Sequence, residues 1–148
     1  MKIIIIEDND YKNQKIVDFI YSDFKDTHID SCKSYSSAIA LLNSNKYDFA
    51  IIDMSLPTFD KDIRAPSSEF RTFGGMDIAK YIKRKKLNLN FIFLTQYISF
   101  AVDDKSYDFA NLEKIAMETY PTNFKGCVFY DNSSLEWKER VRSLMVQP

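Results

Sequence analysis

The chain has 148 residues, of which 45% are hydrophobic and 28% are charged, as in average globular domains. This composition excludes a disordered tail, a collagen-like fibre and a coiled-coil rod, and the length fits one domain over residues 1–148. The 20 basic and 21 acidic side chains give a net charge of -1, so no overall charge attracts the chain to nucleic acid or to an anionic membrane. We expect no direct partner of either kind.

The start of the chain favours neither a signal peptide nor a membrane span. Residues 3–6 are apolar, but acidic residues follow at once, and no apolar stretch approaches the roughly 18 residues that cross a membrane. Cys32 and Cys127 lie in separate apolar segments, and with His28 as the single histidine they do not make a zinc site. We therefore expect a cytoplasmic protein with two reduced core thiols.

Short apolar runs alternate with amphipathic segments in the first half of the chain. The helical segments carry apolar residues three or four positions apart, whereas the strands are nearly continuous apolar runs. In order, the pattern predicts a strand at Lys2–Ile6, a helix at Tyr11–Phe24, a weak strand at His28–Cys32, a helix capped by Ser36, and a strand at Tyr47–Ile52.

The same alternation continues in the second half. It predicts a helix from Gly75 that ends in the basic cluster Lys83–Lys86, a strand at Asn90–Leu94, a helix at Lys105–Glu118, a strand at Cys127–Tyr130, and a helix from Ser133 or Ser134. Cations suit the carboxyl end of a helix, so we interpret the basic cluster as a solvated helix end rather than a nucleic-acid patch. Five strand-then-helix units predict an α/β fold in which helices cover both faces of a parallel sheet.

The predicted strands end in polar residues that can form a site. In an open parallel sheet, ligands bind beyond the carboxyl ends of the strands, where the strand order reverses. Glu7 and Asp8 follow the first strand, Asp53 follows the third, Thr95 follows the fourth, and Tyr130 ends the fifth. Three convergent carboxylates repel one another unless a hard divalent cation such as Mg²⁺ lies among their oxygens. A carboxylate beside Mg²⁺ can also attack phosphorus, and the threonine hydroxyl can bind a phosphoryl oxygen.

Three segments of the sequence combine into one pattern. They are Ile-Ile-Ile-Ile-Glu-Asp-Asn at residues 3–9, Asp-Phe-Ala-Ile-Ile-Asp-Met-Ser-Leu-Pro at residues 48–57, and Phe-Ile-Phe-Leu-Thr at residues 91–95. An acidic pair, an Asp-x-x-Leu-Pro motif and a strand-end threonine in this order resemble the response-regulator receiver domain of two-component signalling. Gly75 matches the glycine that opens the third helix of that family. The resemblance extends over residues 2–145 and implies a flavodoxin-like fold with strand order 2-1-3-4-5.

The resemblance implies a role for each site residue. Asp53 would accept a phosphoryl group from a histidine kinase or a phosphotransfer protein, and Thr95 would be the switch hydroxyl that moves toward that group. Glu7 and Asp8 would hold Mg²⁺ together with Asp53 and the backbone carbonyl of Ser55. Such a domain is no enzyme beyond its own phosphorylation and dephosphorylation. It signals through contacts with a downstream protein or with a second copy of itself.

Three positions depart from the family pattern. The family carries a lysine at the end of its fifth strand, where this chain has Tyr130 followed by Asp131. A phenol brings no positive charge, and Lys125 is one strand length away. Cys127 occupies the position of the aromatic switch residue, and Gln96 replaces the small residue that usually follows the threonine. These departures predict phosphorylation that is slow, weakly coupled to a switch, or absent.

The chain also exceeds the family pattern by two insertions, at about residues 58–74 and within residues 96–125. Both follow the carboxyl ends of predicted strands, so both border the acidic site. Lys61, Arg64 or Arg71 is a candidate for the missing positive charge. A solvated loop with scattered charges is the favoured interpretation of the same residues.

Two other functions fit parts of the sequence. A pseudo-receiver would use the same fold as a protein-interaction module without phosphorylation; the missing lysine favours this hypothesis, and the three costly acids oppose it. A metal-dependent phosphoryl enzyme, such as a Toprim-type nuclease or a haloacid-dehalogenase-type phosphatase, needs Asp-x-Asp. Asp53-Met54-Ser55 lacks the second acid. A receiver domain with Asp53 as phosphoacceptor is therefore the main prediction.

Overall fold

A computed structural model describes residues 1–60, 70–71, 74–96, 99–102 and 105–146, and for residues 70–71, 99–102 and 105–107 it describes the backbone alone. Along the chain, the elements are β1 (Lys2–Ile6), α1 (Asp10–Asp23), β2 (His28–Cys32), α2 (Tyr35–Ser44), β3 (Phe49–Ile52), β4 (Leu56–Pro57), β5 (Phe70–Arg71), α3 (Gly74–Arg84), β6 (Asn90–Thr95), β7 (Ser99–Val102), β8 (Lys105–Asp108), α4 (Phe109–Thr119), β9 (Phe124–Phe129) and α5 (Glu136–Met145).

Five of these strands form one parallel sheet in the order β2-β1-β3-β6-β9. Counted along the chain, this is the order 2-1-3-4-5, so the predicted α/β fold with its flavodoxin-like sheet is confirmed. The strands run parallel because a helix lies between each strand and the next and returns the chain to the same edge. The order reverses at β1 and β3, which places a ligand crevice beyond the carboxyl ends of these two strands.

Apolar side chains form two core layers, one on each face of the sheet. On one face, α1 and α5 pack against the sheet, and the rings of Phe19 and Trp137 meet edge-on at 5.5 Å. On the other face, α2, α3 and α4 pack through residues such as Leu42, Ile78 and Leu112. Residues 3–6 of β1 have no exposed surface, as expected for a central strand covered on both sides.

The starts of α2 and α4 differ from the prediction, each for a local reason. Residues 105–108 form β8 rather than a helical turn, because Asp108 caps α4 and accepts a 2.8 Å hydrogen bond from a backbone N–H of its first turn. The cap of α2 is Ser34 rather than Ser36, because Ser34 and Ser37 form a reciprocal capping box.

The two predicted insertions follow β3 and β6. Within residues 96–125, β7 and β8 pair as an antiparallel hairpin directly after β6. Within residues 58–74, β5 pairs with β4 in a short antiparallel ladder, and residues 61–69 lie outside the described part of the chain. Both segments therefore depart from the sheet at its carboxyl end.

Both cysteines belong to the core. Cys32 and Cys127 are buried and free, and burial raises the pKa of both thiols, that of Cys32 to about 12. Among the helices in the described residues, none is long and apolar enough to cross a membrane.

Candidate functional site

Acids that are distant in sequence meet because β1 and β3 are adjacent and in register. Ile6 pairs with Ile52 near the ends of the strands, and the backbone N–H of Asp53 donates to the carbonyl of Ile6 at 2.9 Å. Glu7 and Asp53 therefore leave the sheet side by side. Among the described residues, one carboxylate oxygen each from Glu7, Asp8 and Asp53 lie within 4.8 Å of one another.

The acids are withdrawn from water, which disfavours their charged forms. Glu7 is 3% exposed and Asp53 is 7% exposed, whereas Asp8 is half-buried. Burial raises the pKa of Glu7 to about 7; the Asp53 charge adds to this effect, and Lys12 opposes it. Burial also raises the pKa of Asp53, although the Lys12 ammonium and the Met54 N–H favour its carboxylate. The Lys12 ammonium therefore only partly offsets the cost of burying these negative charges.

One oxygen of the cluster has no hydrogen bond within the described part of the chain. Glu7 Oε2 accepts from the backbone N–H of Asn9 at 3.1 Å, but Glu7 Oε1 is buried and accepts none. The Lys12 ammonium lies 2.5 Å from Oε1 and forms an ion pair with it, which opposes the effect of burial on the pKa of Glu7. Carboxylate oxygens are suitable ligands for a hard cation, and a set of three carboxylates fits Mg²⁺ or another hard divalent ion.

Lys12 is the site residue that the sequence patterns did not reveal. Asn9 caps α1 and fixes Lys12 in the first turn of the helix. The Lys12 side chain is 2% exposed, its ammonium donates to the carbonyl of Leu94 at 2.8 Å, and it lies 3.4 Å from Asp53 Oδ1. The available signal was its spacing, because Lys12 precedes Ile16 by four positions on the buried stripe of α1.

Thr95 and Tyr130 are buried at the same edge of the sheet, at the ends of β6 and β9. Thr95 ends β6, and its carbonyl accepts a 2.8 Å hydrogen bond from the N–H of Tyr130, which follows β9. The Tyr130 ring lies 5.1 Å from the Trp137 ring and 5.4 Å from the Lys12 ammonium. Its hydroxyl donates to the Asn132 side chain at 3.3 Å. The ring of Tyr130, rather than its hydroxyl, is therefore what contacts the ammonium.

Gly75 supports the backbone around Asp53. Its N–H donates to the Met54 carbonyl at 2.8 Å, and a Cβ at this position would lie 2.6 Å from the carbonyl oxygen of Asp53. A side chain would therefore push α3 away from the end of β3. The Met54 N–H donates to Asp53 Oδ1 at 2.8 Å, so the loop held by Gly75 also orients the carboxylate. Ser55, whose carbonyl is a predicted metal ligand, follows in this loop.

Asp131 is engaged locally and is not part of the carboxylate cluster. It is exposed, and it accepts hydrogen bonds from the N–H and the hydroxyl of Ser133 at 3.0 and 2.7 Å, which lower its pKa. These bonds hold a turn before α5. The helix consequently begins at Glu136 instead of the predicted Ser133 or Ser134.

The positive charge predicted for the insertions stays a prediction. Lys61 and Arg64 lie outside the described residues, and for Arg71 the structure gives the backbone alone. Cys127, at the position of the family's aromatic switch residue, is buried in β9, and Gln96 is exposed after β6. Among the described residues, the cation beside the acids is Lys12 of α1.

A cavity of about 340 Å³ opens beside the cluster. Its lining comprises Asp8, Asp10, Lys33, Pro57 and Asp60, and the Lys33 ammonium forms a 2.7 Å ion pair with Asp10. Because Asp8 belongs to both the cavity and the cluster, the carboxylates border a space large enough for several water molecules. Mg²⁺ keeps such waters when it binds to proteins.

No protein-family model matches this chain. Two curated proteins are similar to it along nearly their whole length. The chain is 28% identical over 140 residues to the Detocs response regulatory protein DtcB of Enterobacter cloacae strain JD6301, which covers 93% of each chain. It is 24% identical over 144 residues to y4jR of Sinorhizobium fredii strain NBRC 101917 / NGR234, an uncharacterized protein, which covers 97% of this chain and 95% of the relative.

Solved receiver structures share the fold. TrrA of Thermotoga maritima, in complex with Mg²⁺-BeF, gives a TM-score of 0.61 at 18% identity over 97% of each chain. The HemR receiver domain of Leptospira biflexa gives 0.65 at 19% identity, over 99% of this chain and 95% of that one. RcsB of Salmonella typhimurium gives 0.66 at 16% identity, over 98% of this chain and 59% of that one. The chain has the fold of response-regulator receiver domains, which confirms the predicted resemblance.

Proposed function

We propose that this chain is a phosphoacceptor receiver domain, in which Asp53 accepts a phosphoryl group from a histidine kinase or a phosphotransfer protein. Glu7, Asp8, Asp53 and the carbonyl of Ser55 would hold Mg²⁺. The observation that carries the proposal is the cluster of three carboxylates whose oxygens lie within 4.8 Å of one another. Such crowding is unfavourable in a metal-free protein and is relieved by a divalent cation. The receiver fold and the similarity to a response regulatory protein support the same function.

The transfer exchanges one bond to phosphorus for another. An oxygen of Asp53 forms a bond to phosphorus while the bond between phosphorus and the donor's histidine nitrogen breaks, and the electron pair of that bond stays on the nitrogen. When bound, Mg²⁺ supplies positive charge that reduces the repulsion between the carboxylate and the phosphoryl oxygens. The Met54 N–H holds Asp53 Oδ1 at 2.8 Å, and the hydroxyl of Thr95 is the proposed donor to a phosphoryl oxygen.

In this proposal the domain signals through protein contacts. Phosphorylation would change its affinity for a downstream protein or for a second copy of the chain, and the kinase would be a transient partner. The domain is no enzyme beyond its own phosphorylation and dephosphorylation. It works in the cytoplasm, without direct contact with nucleic acid or membrane.

The experiment that tests the proposal is phosphorylation by a small-molecule donor. Acetyl phosphate with Mg²⁺ is expected to add the mass of one phosphoryl group, which intact-mass spectrometry detects and hydroxylamine removes. Asp53→Asn lacks the nucleophile and is expected to show no gain. Asp18→Asn, which removes one charge from the exposed face of α1, is the matched control and keeps the gain. The proposal fails if acetyl phosphate, phosphoramidate and a phosphorylated histidine kinase all leave the mass unchanged.

A pseudo-receiver is the second candidate, and Tyr130 at the position of the family's lysine favours it. It would bind a protein partner through the same fold without phosphorylation. For a pseudo-receiver, no donor changes the mass and Mg²⁺ leaves the thermal midpoint unchanged. Both quantities can be measured on one sample, so the two functions are separated directly.

A further inference from the structure

The site lacks a lysine at the end of β9 but contains a buried lysine from α1. We propose that Lys12 pairs with the phosphoryl group on Asp53 and so takes the part of the strand-end lysine that Tyr130 replaces. This inference rests on the proposed function, because it assigns Lys12 a role in phosphorylation of Asp53. Its evidence is the placement of the ammonium, the burial of its side chain and the nature of the residue at position 130.

The Lys12 ammonium lies where three strands of the sheet end. It is 2.5 Å from Oε1 of Glu7, which follows β1, and 3.4 Å from Oδ1 of Asp53, which follows β3. It also donates at 2.8 Å to the carbonyl of Leu94, the residue before Thr95 in β6. A phosphoryl group bonded to Asp53 and hydrogen-bonded to the Thr95 hydroxyl would therefore lie beside this ammonium.

Burial at position 12 favours an apolar residue, yet the side chain is a cation. Lys12 is 2% exposed on the same stripe of α1 that buries Ile16 and Phe19. Withdrawing an ammonium from water is unfavourable unless nearby acids stabilise it, and an apolar side chain would continue the stripe without that penalty. The charge at position 12 is thus explained by the acids it faces.

Tyr130 complements this cation. Its ring lies 5.4 Å from the Lys12 ammonium, at a distance typical of a cation–π contact, and Trp137 supports the ring at 5.1 Å. A second lysine at position 130 would place two ammonium groups in one small space, whereas the tyrosine ring attracts the first. The cation therefore comes from position 12 on α1 instead of position 130 after β9. An aromatic ring at position 130 contacts that cation.

The charge balance of the site also favours a cation here. With all three carboxyls ionised, as they are when they bind a cation, the carboxylates and one ammonium leave two negative charges, which one divalent ion neutralises. Phosphorylation converts the charged Asp53 carboxylate into an uncharged acyl group and adds a phosphoryl dianion, so the site gains one negative charge. With Lys12 the phosphorylated site holds one excess negative charge, and without Lys12 it holds two.

Beryllofluoride, which mimics a phosphoryl group on aspartate, tests the proposal when its Mg²⁺-dependent binding is measured by calorimetry. Lys12→Met is expected to bind at least about tenfold more weakly than wild type, as for the loss of a hydrogen bond to a charged group. Lys12→Arg keeps the charge and is expected to lose less. Lys15→Met, which removes an exposed cation from the same helix, is the matched control and binds as wild type.

A second variant distinguishes a role in phosphoryl binding from a purely structural role. Lys12→Met combined with Tyr130→Lys returns an ammonium to the strand-end position and is expected to regain most of the lost affinity. Wild-type affinity in folded Lys12→Met, with the fold checked by circular dichroism, overturns the role of Lys12 alone. Absence of Mg²⁺-dependent beryllofluoride binding by the wild type overturns the proposed function and the role of Lys12 together.

If Lys12→Met does not fold, the wild type supplies the test. The Cε signal of Lys12 in NMR spectra, assigned by its absence in Lys12→Arg, is expected to shift when beryllofluoride and Mg²⁺ are added. A signal that does not move when the resonances of Asp53 and its neighbours move overturns the proposal.

Discussion

Asp30 in β2 and Glu7 after β1 are carboxylates of the same sheet, but their surroundings shift their pKa values in opposite directions. The Tyr47 hydroxyl donates a 2.6 Å hydrogen bond to Asp30 Oδ2, which with the neighbouring His28 lowers the pKa of Asp30. Glu7 is buried beside Asp53, and its pKa is raised to about 7. Asp30 thus has a neutral hydrogen-bond donor, the Tyr47 hydroxyl, whereas Glu7 lies beside a second acid, Asp53.

The difference shows where the fold leaves room for a ligand. Away from the carboxyl ends of the strands, Asp30 accepts a hydrogen bond from Tyr47, and Asp48 accepts one from the backbone N–H of Lys2 at 2.7 Å. At the strand ends, Glu7 and Asp53 are buried together, and burial raises the pKa of both although the Lys12 ammonium favours their charged forms. Electrostatic strain of this kind disappears when a cation binds, so the contrast can be tested by adding or removing charge.

The largest expected effect is stabilisation by Mg²⁺. At a free concentration one hundred times its Kd, a ligand that binds only the folded state adds about 2.7 kcal/mol to the free energy of unfolding. Urea titrations with Mg²⁺ and with EDTA measure this difference. Asp8→Asn is expected to need more Mg²⁺ for the same gain, whereas Asp30→Asn keeps the wild-type response. An equal Mg²⁺ response in the two variants would remove the distinction between the two regions.

A smaller effect is expected from Glu7→Gln without metal. Because folding raises the pKa of Glu7 from 4.5 to about 7, the folded state binds more protons than the unfolded state between these values. This contribution to stability is therefore complete below about pH 4.5 and is lost as the pH rises through 7. Glu7→Gln is expected to stabilise the EDTA-treated protein at pH 8 by on the order of 1–2 kcal/mol.

The control for Glu7→Gln is the pH dependence of its effect on the free energy of unfolding. The stabilisation by Glu7→Gln measured in urea at pH 8 is expected to vanish at pH 4.5, where the wild-type carboxyl is protonated in the folded state. A Glu7→Gln protein less stable than wild type at pH 8 in EDTA would show that the ion pair with Lys12 outweighs the burial of Glu7.

The smallest expected effect is at Asp30. Tyr47→Phe removes the hydroxyl that donates to Asp30 and is expected to reduce the free energy of unfolding by about 1 kcal/mol at pH 7. Because the pKa of Asp30 is lowered on folding, this stability is present above its unfolded value of 3.8 and is lost as the pH falls through the folded value. Thermal melts in acid should thus show a smaller difference, and Tyr21→Phe, at an exposed tyrosine, should show none.

The strands and their terminal acids were predictable because each depends on a local pattern. Continuous apolar runs mark β1, β3 and β6, and polar residues directly after such runs lie at the carboxyl edge of any parallel sheet. The strand register then brings the acids together, because Ile6 lies opposite Ile52 and the next residues, Glu7 and Asp53, become neighbours.

Lys12 was not predictable in the same way. A lysine in the first turn of a helix is usually solvated, and its contact with Leu94 joins positions 82 residues apart in sequence. The strand β8 was missed for a related reason, since its four residues pair only with β7 and precede a helix whose cap, Asp108, is visible only in the folded chain. Contacts set by tertiary structure leave little trace in local spacing.

The position of Lys12 also has a mechanical consequence for α1. The helix spans about 16 Å from Lys12 to Asp23 at 1.5 Å per residue, and a helix of this length is stiff along its axis. At its far end, Asp23 accepts a 2.6 Å hydrogen bond from Nε of Arg142 in α5. α1 therefore connects the carboxylate cluster at one end of the sheet to α5 at the other end. The helix α5 also carries Trp137, whose ring packs against Tyr130, so α1 and Tyr130 both contact this helix.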